Sequence, residues 1–205
     1  FDPVQFAFNL LTRSGRIGHL ELTKRDARFV ATVDRFLAGT PGVLVPGPPR
    51  LTPVRQREVT IPNRVAVAVV GEDDADGQGE LAEAAERRHL DAVAAGPGVV
   101  VSELVAVAPD GRVTPGTPGL WAEDLAGPWA ALAGEVAGRG SALALRLGHA
   151  GRRGATRPRR HGVDRPLPEG GWPLLAASAI PYIRGGPVPR AMGPDDMERV
   201  AGQFA

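Results

Sequence analysis

Apolar residues along this chain follow two rhythms, and the change falls near residue 45. Before it the spacing is helical. "FAFNLL" forms a compact apolar cluster, and Phe29, Val30, Val33, Phe36 and Leu37 recur three or four residues apart behind Asp26, a suitable helix cap. Residues 1–38 therefore read as helical. "AGTPGVLVPGPPR" (38–50) reads as a linker, because its prolines lack amide donors and its glycines lack side chains to pack. The expected domains are 1–45 and 46–205.

Beyond the linker, short apolar runs alternate with longer amphipathic ones. "VRQREVTI" is an extended piece, and "PNRVAVAVV", "PGVVVSELVAV" and "SALALRLG" read as three buried strands. Between them, "GELAEAAERRHLDAVAAG" is a helix with Leu81, Ala85 and Val93 toward one side. "AEDLAGPWAALAGEVAGRG" is a second helix, striped by Leu125, Trp129, Leu132 and Val136, in which Pro128 marks a kink or a late start. A loop of roughly 45 residues follows the third strand, far longer than an ordinary connection. "GPDDMERVAGQFA" closes the chain as a helix, with Pro194 in its first turn and Met197, Val200 and Phe204 on one face. This order argues for an α/β fold of parallel βαβ units. Such a sheet is open and doubly wound, or it belongs to a (β/α)8 barrel, of which about three units would be the N-terminal part.

Composition narrows the function classes. Apolar residues at 43% and charged residues at 23% are ordinary for a soluble domain. The run "VAVAVV" is too short to cross a bilayer and no signal segment opens the chain, so no membrane partner and a cytoplasmic location are expected. The absence of cysteine removes disulfides and thiolate ligands, and four histidines without ligand spacing make no metal site. A net charge of +1 argues against nucleic acid as a partner. The charge is unevenly spread: acids crowd "EDDADGQGE" (72–80) and arginines crowd 152–165.

Three segments carry candidate chemistry. "GHAGRRG" (148–154) lets the chain turn sharply off a strand but lacks the spacing of a dinucleotide fingerprint, so a turn with a structural His149 is the simpler reading. Arg152, Arg153, Arg157, Arg159, Arg160 and Arg165 either grip phosphates through paired guanidinium donors or form a solvated loop. Glu103, in an otherwise apolar strand, calls for a nearby arginine. Arg146 raises the converse question, since a buried guanidinium is costly unless paired; Glu103 and a ligand carbonyl are its two expected partners.

"PNRVAVAVV", "GVVVSELVAVAPDGRVTPGTPGLW", "LRLGHAGRRG", "AASAI" and "PRAMGPDDMERVAGQFA", in this order, resemble the first half of the old yellow enzyme family over about residues 48–205. The resemblance implies a (β/α)8 barrel, FMN, and hydride transfer from NAD(P)H. It places Ala68, Val69, Val70, Leu104 and Arg146 as cofactor-binding residues at strand ends, with Arg146 standing where the family usually has Gln. The combination "GHAGRRGATRPRR…DRPL…GGWPLLAASAIPY" further resembles the branch fused behind an FAD-dependent aromatic hydroxylase, the salicylyl-CoA 5-hydroxylase and 2-aminobenzoyl-CoA monooxygenase/reductase group. "DPVQFAFNLLTRSGRIGHLEL" resembles the end of that hydroxylase. An aromatic CoA thioester is then the expected substrate, with Arg157, Arg159 and Arg160 as candidate contacts to its phosphates. The whole protein is expected to be a homo-oligomer. The family's substrate-binding His pair, proton-donating Tyr and phosphate site belong to later barrel segments, so no catalytic residue is expected in this chain and it is expected to be inactive alone. A non-catalytic α/β scaffold domain is the competing reading.

Overall fold

The computed structural model describes residues 19–38 and 49–205. "FAFNLL" and nearly all of the linker, with the boundary expected near 45, lie outside the described residues. The chain divides into two compact units, the first ending at Val65 and the second beginning at Ala66.

In the first unit, helix α1 (His19–Arg25) meets helix α2 (Ala27–Ala38) at Asp26. Its carboxylate accepts the Phe29 amide at 2.8 Å, which caps the first turn of α2 as the sequence suggested. The extended piece folds back on itself. Strands β1 (Val54–Gln56) and β2 (Val59–Ile61) pair antiparallel around Arg57, whose φ of 52° makes the tight reversal.

The second unit holds three consecutive βα units. Strand β3 (Ala66–Ala68) leads to helix α3 (Glu83–Val93), β4 (Val99–Ala106) to α4 (Ala126–Gly138), and β5 (Ala142–Gly148) through a long loop to α5 (Pro194–Gly202). The three strands are parallel in the order β3-β4-β5. Packing explains the order of burial. Only β4 has a neighbour on each side, and its Val100 and Val105 are wholly enclosed with Val136, Trp129 and Leu132 of α4 and Ala85 and Val93 of α3. The α4 stripe therefore buries as its spacing implied. Pro128 is the third residue of α4, behind a 3-10 turn at Glu123–Leu125, so it marks a late start and no kink. His89, on the buried side of α3, donates Nδ1–H to the Ala85 carbonyl at 2.7 Å and meets the Trp129 ring edge-on at 5.9 Å. Burial lowers its pKa and keeps it neutral.

Two of the three strands expected to be buried are not. Ala66 and Ala68 of β3 and Arg146 and Leu147 of β5 are exposed. These are the sheet's edges, and the helices cover one face only. Leu143 and Leu145 of β5 turn toward them, while the registered rows Ala66–Val99–Ala142 and Ala68–Val101–Ala144 lie on the other face. The alternating alanines and valines of "VAVAVV" thus serve two different surfaces.

The long loop is not structureless. It carries 3-10 turns at Gly151–Arg153 and Arg159–His161, a bridge between Thr156 and Pro166, and a parallel pair, β6 (Leu175–Ala176) with β7 (Arg190–Ala191). Helix α5 starts on a charged clamp. Arg190 donates to both carboxylate oxygens of Asp196 at 2.7 and 2.6 Å, the Gly193 amide adds a third bond, and the Asp196 pKa falls to about 2. Met197 and Phe204 stay exposed, so the face expected to pack is uncovered among the described residues.

Candidate functional site

The C-terminal ends of β3, β4 and β5 open on one cavity of about 310 Å³. Ala68, Val69 and Val70 border it from the first strand end, Leu104 and Glu103 from the second, and Arg146 from the third. Arg153, Arg157 and Arg159 reach it from the loop. All five residues assigned to a cofactor by resemblance therefore share a single cleft, as do two of the three arginines assigned to phosphates. Arg160 is the exception. Its guanidinium donates to the Glu72 carbonyl at 3.4 Å and to the His161 ring at 3.2 Å, and it does not line the cleft. Arg153, named with the arginine cluster but not among the three assigned to phosphates, stands there instead.

A backbone irregularity shapes the floor. The β4–β5 register runs Val101 opposite Ala144 and then jumps to Leu104 opposite Arg146, leaving Ser102 and Glu103 in a bulge. The Ser102 hydroxyl stitches it, accepting the Arg146 amide at 2.9 Å and donating to the Glu103 carbonyl at 2.7 Å. Glu103 and Leu104, adjacent in sequence, consequently both border the cleft.

Glu103 has the arginine it called for, but on α3. Arg88 lies 3.5 Å from one Glu103 oxygen and also pairs with Asp74. Burial raises the Glu103 pKa, opposed by the Arg88 charge and reinforced by Asp74. Of the two partners expected for Arg146, Glu103 is thereby removed. Arg146 is exposed, and its guanidinium makes no hydrogen bond or ion pair among the described residues. An edge position makes that tolerable, since water solvates the charge that an interior strand would have stripped.

The acidic segment and the arginine loop meet over this floor. Asp73, with φ at 60°, accepts the Thr114 hydroxyl at 2.8 Å with one oxygen and the Arg159 amide at 2.9 Å with the other. Three segments are thereby pinned by one carboxylate. Arg153 donates to Asp164 at 2.7 Å, whereas the Arg159 side chain has no partner among the described residues. Arg112 adds a second brace: its guanidinium lies 5.6 Å from the Trp121 ring centre and 4.9 Å from that of Trp172, and donates to the Gly77 carbonyl at 2.7 Å. His149 is structural, as the simpler reading had it. Its Nδ1 accepts the Gly151 amide at 3.1 Å, leaving Nε2–H toward Asp110 at 3.8 Å in a site that burial makes resistant to protonation. It lies outside the cleft.

The clasp at Asp73 depends on Gly116, where a Cβ would drive into the Asp73 backbone carbonyl. Gly116→Ala should cost about 1–3 kcal/mol through forced backbone movement. Denaturant unfolding with proteolysis of the arginine loop measures it; an unchanged midpoint and cleavage rate would show that the clasp carries no strain.

A parallel sheet with helices on one face and a cationic cleft at its strand ends is consistent with the (β/α)8 class, whose sites lie at that end of the strands. Residues 51–204 match the family model for the NADH:flavin oxidoreductase / NADH oxidase family, and the chain belongs to that family. It is 31% identical over 160 residues to an NADH:flavin oxidoreductase of Gibberella zeae, covering 75% of this chain and 38% of that protein. Among solved structures it is similar to the old yellow enzyme homologue of Zymomonas mobilis, with a TM-score of 0.58 at 23% identity over 76% of this chain and 42% of the other. It is also similar to a 2-naphthoyl-CoA reductase in complex with 2-naphthoyl-CoA, with a TM-score of 0.62 at 20% identity over 75% and 24%. The fold is thus part of a (β/α)8 barrel, and the chain spans about two fifths of the length of the Gibberella relative it matches.

The family works with FMN and NAD(P)H, and the cleft's chemistry fits a flavin. Ala68, Val69, Val70 and Leu104 offer an apolar strip to a flat ring. The free guanidinium of Arg146 offers donors to a ring carbonyl. Among the described residues no helix is long and apolar enough to cross a membrane.

Proposed function

We propose that this chain supplies the first strand ends of an FMN site in an NAD(P)H-dependent oxidoreductase, within a protein that also carries an FAD-dependent hydroxylase for an aromatic CoA thioester. The observation that carries the flavin reading is the convergence of Ala68, Val69, Val70, Leu104 and Arg146 on one cleft. Bound FMN supplies the two-electron chemistry; the residues present here bind and orient it. The apolar strip excludes water from one ring face. Arg146 holds a positive charge beside the ring, and the Ser102 hydroxyl fixes the strand from which that charge projects.

Two features support the substrate and the fusion. The cleft's rim carries Arg157 and Arg159, cations suited to the phosphates of CoA, and a structural relative is a reductase of a naphthoyl-CoA thioester. The "DPVQFAFNLLTRSGRIGHLEL" segment supports a preceding hydroxylase, with residues 1–45 as its tail and 46–205 as the barrel part. The wider proposal keeps a cytoplasmic, homo-oligomeric protein in which the catalytic His pair comes from other barrel segments, so that this chain alone is inactive.

Flavin binding tests the reading. The chain should quench FMN fluorescence on titration, and Arg146→Gln should lower the midpoint potential of bound flavin while leaving it bound, since a nearby cation stabilises the reduced anion. The shift should be some tens of millivolts, about 1 kcal/mol for a single partly solvated charge. Absence of FMN binding by the complete protein would favour the scaffold reading. On the CoA side, Arg157→Ala with Arg159→Ala should raise KM for a CoA thioester several-fold more than for a short thioester analogue in the complete enzyme, and Arg160→Ala should not.

A further inference from the structure

The cleft's floor holds a carboxyl that the flavin reading leaves without a task. Glu103 is 95% buried, as its side chain retains 5% exposure. Two separate backbone accommodations place it there. The bulge at Ser102–Glu103 brings Glu103 and its sequence neighbour Leu104 to the same cleft, where regular alternation would part them. Gly71 then leaves the space that Oε2 fills, because a Cβ there would collide with that oxygen. The group is incompletely matched. Oε1 has no well-aligned hydrogen-bond donor among the described residues, and Arg88, 3.5 Å away, is shared with Asp74 and, at 4.0 Å, with Glu72.

We propose that Glu103 takes up a proton when a planar aromatic ring covers the cleft floor, so that ring binding here is coupled to pH; this rests on the flavin reading of the cleft. A ring over Val69 and Val70 removes water from the mouth of the slot, and the remaining solvation of the carboxylate goes with it. The charges around it decide the balance. Arg88 of α3 favours the anion, while Asp73 and Asp74, after β3, favour the neutral acid. Across the cleft, Arg153 is satisfied by Asp164, and Arg146, Arg157 and Arg159 border the mouth beside solvent. Burial already raises the Glu103 pKa in the open cleft, which puts it within reach of such a shift. A neutral carboxyl also becomes a donor, giving a ring nitrogen or carbonyl a hydrogen bond that the carboxylate cannot. Glu103 would thus position the ring and select for its acceptor edge.

Riboflavin is the probe, because it carries the ring without a phosphate that titrates in the same range. Its dissociation constant for the 205-residue chain, followed by fluorescence quenching from pH 5 to pH 8, should rise with pH by about tenfold for each unit by which binding raises the Glu103 pKa. In Glu103→Gln, which keeps the shape and a donor, the constant should be nearly flat with pH. Calorimetry of the wild-type chain in two buffers of different ionisation enthalpy should show net proton uptake on binding, a measurement that needs no variant to fold. A pH-independent constant with no proton uptake, or the same slope in Glu103→Gln, would overturn the proposal while leaving the flavin site standing. Failure of the wild-type chain and of the complete protein to bind riboflavin and FMN at any pH would overturn both.

Discussion

Arg88→Met should be among the most damaging single substitutions in the second unit, costing about 3–5 kcal/mol at neutral pH. The reasoning rests on what it leaves behind. Arg88 is the cation that Glu103, Asp74 and Glu72 share, and Glu103 has almost no access to water. Methionine fills much of the space but strands a buried carboxylate. The loss should depend on pH with a definite sign. Glu103 has a folded pKa above its ordinary value, so its protonated form is the one the fold prefers, and stability is lost as pH rises through that folded pKa. Without Arg88 the folded pKa climbs further. The variant should therefore lie near wild type at acid pH and fall away toward neutrality. Urea midpoints at several pH values measure this. Arg88→Met with Glu103→Gln should recover much of the loss, because the stranded charge is gone. A deficit that is constant with pH and not rescued would show that Arg88 acts through packing alone.

Why this pair was only half legible shows where sequence patterning ends. Glu103 announced its need for an arginine, being a lone charge in "VVVSELVAV". The partner's identity was hidden in "AERRHL", where two adjacent arginines face different ways. Arg87 pairs with Glu83 on the exposed side at 3.2 Å, while Arg88, three residues after buried Ala85, lies on the inward side. Helical phase was the available signal, and it was outweighed by the nearness of Arg146 on the next strand. Arg146 itself misled because an alternating apolar strand looks alike at the centre of a sheet and at its edge. Only the neighbours decide, and they are set by the whole sheet. The loop is the opposite case. Which arginines turn inward follows from the Asp73 carboxylate, 86 residues earlier, gripping the Arg159 amide, a contact with no periodic trace. By contrast β4 and the α4 stripe were readable outright, since continuous apolar runs and regular spacing reflect burial on both faces or on one.

Those readable elements also carry the other large effect, because the sheet that presents the cleft is held from behind. Trp129→Ala should cost about 3–5 kcal/mol. Trp129 is 3% exposed, and its indole N–H donates to the Gly119 carbonyl at 3.2 Å. Gly119 bridges to Ala106 at the end of β4 and lies under Trp121, whose ring occupies the space where a Cβ would stand. Trp121 in turn stacks on Arg112, which donates to the Gly77 carbonyl. Removing the indole therefore opens a void against Val100 and Val105 and frees a carbonyl that anchors the brace around the cleft. Two variants separate these effects. Trp129→Phe keeps most of the ring volume and loses the donor, so it should cost about 1–2 kcal/mol. If the brace transmits to the cleft, Trp129→Phe should weaken FMN binding several-fold more than an equally destabilising core change such as Val136→Ala. Equal weakening by the two, at matched loss of unfolding free energy, would show that the helices behind β4 support the cleft only by keeping the unit folded.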